Sequence, residues 1–168
     1  DAPLQILVAN LDSSDYLGRI AIGRVFNGTV ALNDPVAVLK LGGATQQTRI
    51  TKLFAFDGLK RVEVERAIAG DIVCLAGIEE ITIGETIASL EHPVAIPPIA
   101  VDEPTVSMVF GVNTYPMAGR DGQFVTSRNL RERLATELLG NVSLRVEDTD
   151  TPEQMKVIGR GELQLSIL

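Results

Sequence analysis

The chain has 168 residues, with 15 Lys and Arg against 22 Asp and Glu, a formal net charge of −7. One cysteine (Cys74) and one histidine (His92, beside Pro93) exclude an internal disulfide framework, a cysteine-rich zinc site and a Ser-His-Asp or Cys-His engine. The acidic balance argues against DNA or RNA as sole partner, because phosphate neutralisation supplies most of such affinity. With no apolar run near ~18 residues, no membrane span is expected.

The first module, residues 1–92, reads as all-β. Ile20 and Ile22 share one parity and Val25 the other, so a bulge is expected at Gly23-Arg24. Asn27-Gly28, between Val25-Phe26 and Thr29-Val30, predicts a hairpin turn. Asn33-Asp34-Pro35, Gly42-Gly43, Asp57-Gly58 and Gly70-Asp71 punctuate the rest at short intervals. Val62, Val64 and Ile68 share one parity against Glu63, Glu65 and Ala67, with Arg66 the one interruption, while Ile72–Ala76 is apolar on both parities, as a strand covered on both faces would be. Short strands with frequent turns predict an antiparallel β-barrel.

Residues 93–103 hold Pro93, Pro97 and Pro98, and Pro104 follows. They predict a semi-rigid extended linker between two domains. Residues 104–168 follow another rhythm. Val106, Met108, Phe110 and Val112 alternate as a strand, and a polar loop runs from Tyr115 to Phe124. Leu130, Leu134 and Leu138, with Ala135 and Leu139, form a helical stripe. Asn129 with Glu132 resembles a capping box, with Ser127 the alternative cap, and Gly140-Asn141 suits a left-handed C-terminus. Val142, Leu144 and Val146 predict a second strand, Gln154–Ile158 a third, and Gly159-Arg160-Gly161 opens a last helix. The order β-α-β-β-α is five sixths of a ferredoxin-like unit. Asp1-Ala2-Pro3 at one end and the missing closing strand at the other lead us to expect an excised segment of a larger protein.

Motifs for chemistry are sparse. There is no GxxxxGK[ST] loop and no Asn-Lys-x-Asp motif. Adjacent carboxylates such as Glu79-Glu80 point to opposite faces of a strand and cannot grip one metal. No catalytic residue, cofactor site or metal site is expected in the chain. Gly159, Arg160 and Gly161 read either as a tight strand-to-helix turn or as an anion site at a helix start. Arg120, Arg128, Arg131 and Arg133 concentrate positive charge. They are either a solvated face, paired Arg128–Glu132 and Arg133–Glu137, or a contact for an RNA backbone or acidic partner.

The runs Val101–Leu134 (VDEPTVSMVFGVNTYPMAGRDGQFVTSRNLRERL) and Asn141–Leu168 closely resemble the TypA/BipA family of translational GTPases. GRIAIGRVFNGTV (Gly18–Val30), ITKLFAFDGLKRVEVERAIAGDIV (Ile50–Val73) and IGETIAS (Ile83–Ser89) resemble that family's second domain. The resemblance implies a translation-factor domain II barrel at 1–92 and most of a ferredoxin-like domain III at 104–168. The parent's GTPase domain, with GTP and Mg, would lie outside the chain. Such proteins act in translation, ribosome assembly and stress adaptation. The implied partner is the ribosome, through rRNA and small-subunit proteins, with these domains relaying nucleotide state, in the cytoplasm or the plastid stroma. Gln164 departs from the histidine of a GRGELHLS pattern, and Tyr115-Pro116-Met117 replaces a more usual Ser-Pro-Phe. A monomer is expected, with association through the truncated sheet. The alternative function is a stand-alone protein-interaction module that binds through an exposed sheet edge.

Overall fold

A computed structural model describes residues 2–14, 16–116 and 126–168, and divides the chain after Ile99 into two compact units. The first carries ten strands: β1 Gln5–Ser14, β2 Gly18–Asn27, β3 Thr29–Ala31, β4 Pro35–Leu39, β5 Thr45–Arg49, β6 Lys52–Asp57, β7 Lys60–Glu63, β8 Arg66–Ile68, β9 Ile72–Ala76 and β10 Thr86–Ser89. Eight of them form one sheet in the order β5-β4-β10-β1-β2-β9-β6-β7. β5, at one end of that order, and β6, next to the other end, are joined through the chain itself. β5 pairs with β4, runs through Ile50 and Thr51, and continues as β6, which pairs with β9. Ile50 N donates to Asp34 O at 3.1 Å, and Thr51 N to Ala76 O at 2.9 Å, so the ladder changes partner without a gap. Closure by one bent strand makes the expected barrel and leaves β7 outside the ring, paired with β6 alone among the described residues.

Inward residues alternate along each stave. Ile6, Val8, Val25, Val36, Val38, Leu53, Val73, Leu75 and Ile87 form the continuous core, all at most 1% exposed. Each such side chain contributes roughly 1.5–3 kcal/mol. β9 is covered on its outer face as well, since Cys74 and Ala76 are fully buried. The cover involves the β6–β7 hairpin, where Arg61 Nη2 meets Asp12 Oδ2 of β1 at 2.5 Å although β2 and β9 separate β1 from β6 in the sheet. Burial raises the Cys74 thiol, which feels both charges of that clasp.

The clasp sets a pH dependence. The hydrogen bond from Arg61, helped by the Ser13 amide, holds the Asp12 carboxyl below its usual range. A lowered folded-state value makes the clasp's contribution complete above the unfolded value of about 4 and lost as pH falls through the folded one. Both partners are partly wet, so the effect is at most about 1 kcal/mol. Asp12→Asn should therefore lower the urea midpoint at pH 7 and leave it nearly unchanged at pH 2–3. An equal loss at both pH values would show that the carboxylate's charge plays no part.

Several expectations for this unit are corrected. Gly23 lies within an unbroken β2–β9 register. The extra residue opposite it is Ala9 on β1, between the pairs Val8↔Gly23 and Asn10↔Ile22, and a second shift lies at Gln5/Ile6. Asn27-Gly28 makes no hairpin, because Gly28 (φ +71°) turns the chain away and β3 pairs with β8, Thr29↔Ile68 to Ala31↔Arg66. The alternation from Val62 to Ile68 is two strands with different partners. The core residue there is Ala67, while Val62 and Ile68 are 39% and 55% exposed.

The second unit contains β11 Val106–Gly111, α1 Ser127–Gly140, β12 Arg145–Asp148, β13 Gln154–Gly159 and α2 Glu162–Ile167. Its antiparallel sheet runs β11-β13-β12, the order of a ferredoxin-like unit. Leu134 of α1 and Leu165 of α2 pack with Leu144, Met155 and Val157, joined by Val106, Phe110, Leu130 and Val146. Leu138 stays outside this cluster, 38% exposed. Thr126, not Asn129 or Ser127, is the N-cap, its hydroxyl accepting from Asn129 N at 3.2 Å. The helix ends without a left-handed residue, since Asn141 (φ −120°) donates its amide to Glu137 O. The second strand begins later than expected, at Arg145, with Leu144 buried ahead of it.

Candidate functional site

The described arginines of α1 are all paired with carboxylates. Arg128 Nε contacts Glu132 Oε1 at 2.8 Å and Arg133 Nη1 contacts Glu137 Oε2 at 2.7 Å, both one helical turn apart. Arg131 leaves the helix to reach Asp148 Oδ1 at 2.7 Å and donates to Pro152 O, bracketing the β12–β13 turn. Arg120 lies outside the described residues. Arg128 is the most accessible, its side chain 85% exposed, and Glu132 raises its already high pKa. Hydrogen bonds from Arg133 and then Asn141 hold Glu137 below the usual carboxylate range. Exposed pairs of this kind are worth only about 0.2–1 kcal/mol, so a phosphate can displace the carboxylates at little cost.

In the Gly159-Arg160-Gly161 turn, both the amide and the guanidinium of Arg160 are engaged. Arg160 N donates to Gln164 Oε1 at 2.8 Å, and Arg160 Nη2 reaches Asp102 O. Gln164 Nε2 in turn donates to Ser143 Oγ at 3.0 Å and Asn141 Oδ1 at 3.3 Å. One amide thus ties the start of α2 to the end of α1. Gly161 caps a helix of only six residues. The arrangement is that of a tight strand-to-helix turn.

Sequence reading passed over the cations of the barrel. Arg24 stacks over the Phe26 ring at 5.4 Å, and Arg66 Nη2 donates to Thr29 Oγ1. Neither has a carboxylate partner among the described residues. The available signal was the Arg-x-Phe spacing, which puts both side chains on one side of β2. Among the described residues no three His, Cys, Asp or Glu side chains converge as metal ligands, and no helix is long and apolar enough to cross a membrane.

Comparison with known proteins agrees with this architecture. Residues 18–88 match the sequence family Elongation factor Tu domain 2. The whole chain is 51% identical to the large ribosomal subunit assembly factor BipA of Bacillus subtilis (strain 168), of which it covers 28%. It is 52% identical over 99% of its length to the BipA of Synechocystis sp. (strain PCC 6803), again covering 28%. A crystal structure of a Thermus thermophilus protein shares the fold, with a TM-score of 0.72 at 23% identity over 99% of this chain and 24% of that one. The chain thus spans under a third of the curated relatives it matches; over that stretch it is similar to proteins named BipA, and at residues 18–88 to elongation factor Tu domain 2.

Proposed function

We propose that the chain is a non-catalytic part of a ribosome-binding GTPase. In this reading the parent's GTP and Mg are held by a G domain outside these residues, and the two units dock on the ribosome during subunit assembly. The carrying observation is the identity of about half of all positions to proteins named as large ribosomal subunit assembly factors. The fold supports it, because two small units, each with its own packed core, suit a docking and relay role. Relay of nucleotide state and a part in stress adaptation, in the bacterial cytoplasm or plastid stroma, belong to the same reading. The phosphate contacts we assign are Arg120, Arg128, Arg131 and Arg133, with Arg24 and Arg66 on the barrel.

Replacing Arg128 and Arg131 with alanine in the full-length protein should weaken ribosome co-sedimentation. It should also reduce the slope of log K against log salt by about 1.4–1.8, the loss of two phosphate contacts. An unchanged slope would return these side chains to a purely local role. A second reading, docking of a protein partner, rests on β11. Among the described residues that strand pairs on one side only, and it carries Met108 and Val109 at 45% and 60% exposure. Concentration-dependent self-association without ribosome binding would favour it.

A further inference from the structure

The proline-rich stretch expected to be one linker is divided in its attachments. Thr86, on β10 and 1% exposed, accepts from Ile96 N at 2.9 Å through a hydroxyl that also lies 3.4 Å from Ile96 O. Gln5 Nε2 donates to Val94 O at 2.9 Å, and its Oε1 accepts from Asn27 Nδ2, which fixes the amide's orientation. Pro98 packs where a side chain on Gly84 would stand, its Cβ 3.3 Å from that position. Every second residue, 94, 96 and 98, therefore touches the barrel, the spacing of an extended chain laid along a surface. From the other side, Arg160 holds Asp102 O, Arg145 holds Glu103 at 3.0 Å, and Thr105 N donates to Gly159 O at 3.1 Å. Pro97 and Pro98 fix their own φ and hold the residues before them extended, and Pro104 does the same to Glu103. Ile99, 74% exposed, Ala100 and Val101, 41% exposed, have neither restraint.

We propose that the pivot between the two units is the three-residue stretch Ile99–Val101, and that the Thr86 hydroxyl sets its length by stitching residues 94–98 to the barrel. Three residues span at most about 11 Å. A pivot that short keeps its two attachment points within that distance, where eleven free residues would let them part by up to about 40 Å. The inference does not depend on what the units dock against.

Backbone NMR on the 168-residue chain tests it. In the native chain the heteronuclear NOE at Val94 and Ile96 should match that of β10 and drop only at Ile99–Val101. A uniformly low or uniformly high value across 94–103 would overturn the proposal without any variant. Thr86→Val keeps the shape of the side chain and removes both bonds. It should speed exchange of the Ile96 amide at least tenfold and extend the low-NOE stretch back to Val94, while Thr86→Ser restores the native pattern. Unchanged exchange at Ile96 in Thr86→Val would sink the stitch. If that variant loosens the whole barrel, the native profile alone decides.

Discussion

Gly23→Ala should cost the barrel about 3 kcal/mol or more, although it adds only a single methyl group. Gly23 sits in mid-strand between Val8 of β1 and Val73 of β9. A Cβ built there falls 2.3 Å from Leu7 O and 2.9 Å from Ile6 Cγ2. The first contact is with backbone, and that carbonyl belongs to the ladder joining β1 and β2. Relief therefore requires the two strands to part, with loss of hydrogen bonds on either side of the bulge at Ala9. Gly42→Ala is the matched control: nothing lies within 4 Å of its Cβ, and its φ is not positive. It should be neutral or stabilise by a few tenths of a kcal/mol through the unfolded chain. Urea unfolding followed by circular dichroism distinguishes them, with the transitions of the two units fitted separately. If Gly23→Ala lost less than 1 kcal/mol, β1 and β2 would be free to spread, and the closed ring would be far softer than its pairing implies.

Gly23 also shows how far the residues alone could be read. Its neighbourhood announced an irregularity, but the parity of Ile20, Ile22 and Val25 could not say which strand carried the extra residue. Burial resolves the puzzle: Ile20 is 4% exposed on the outer side, so its hydrophobicity does not mark the core face. The apolar run Ile72–Ala76 announces the outer cover over Cys74, but not that Arg61 reaches a strand it does not neighbour. In the second unit the patterns are local and were legible. The alternation of β11 and the i,i+4 pairs Arg128–Glu132 and Arg133–Glu137 all follow from helix and strand periods. Arg131–Asp148 and the reach of Gln164 to Ser143 join segments 17 and 21 residues apart, and no period predicts them. The bend through Ile50-Thr51 was missed for a similar reason. A strand that changes partners reads in sequence as two strands, because nothing in the period shows that Ile50-Thr51 carries one ladder into the next.

The second large effect is expected at the buried ion pair of the barrel. Lys40 Nζ lies 3.2 Å from Glu85 Oε2, with side chains 19% and 5% exposed. The same carboxylate oxygen accepts from Thr82 N at 3.1 Å, and the ammonium also donates to Glu80 O. These bonds fix the segment that carries Ile78 and Ile81 into the core. Lys40→Met removes the cation but leaves a carboxylate that water scarcely reaches, with one amide as its remaining partner. A loss of about 3 kcal/mol is expected, the low end for breaking a buried pair because the lysine is partly wet. Lys40→Met with Glu85→Leu removes both charges and supplies apolar volume. It should recover most of that loss, giving a coupling of at least about 2 kcal/mol in the double-mutant cycle, the recovered part plus the cost of Glu85→Leu alone. Such recovery would mean that the pair specifies where the segment sits more than it stabilises the fold. A double variant no more stable than Lys40→Met would instead place the energy in the Thr82 and Glu80 bonds, which the apolar side chains cannot replace.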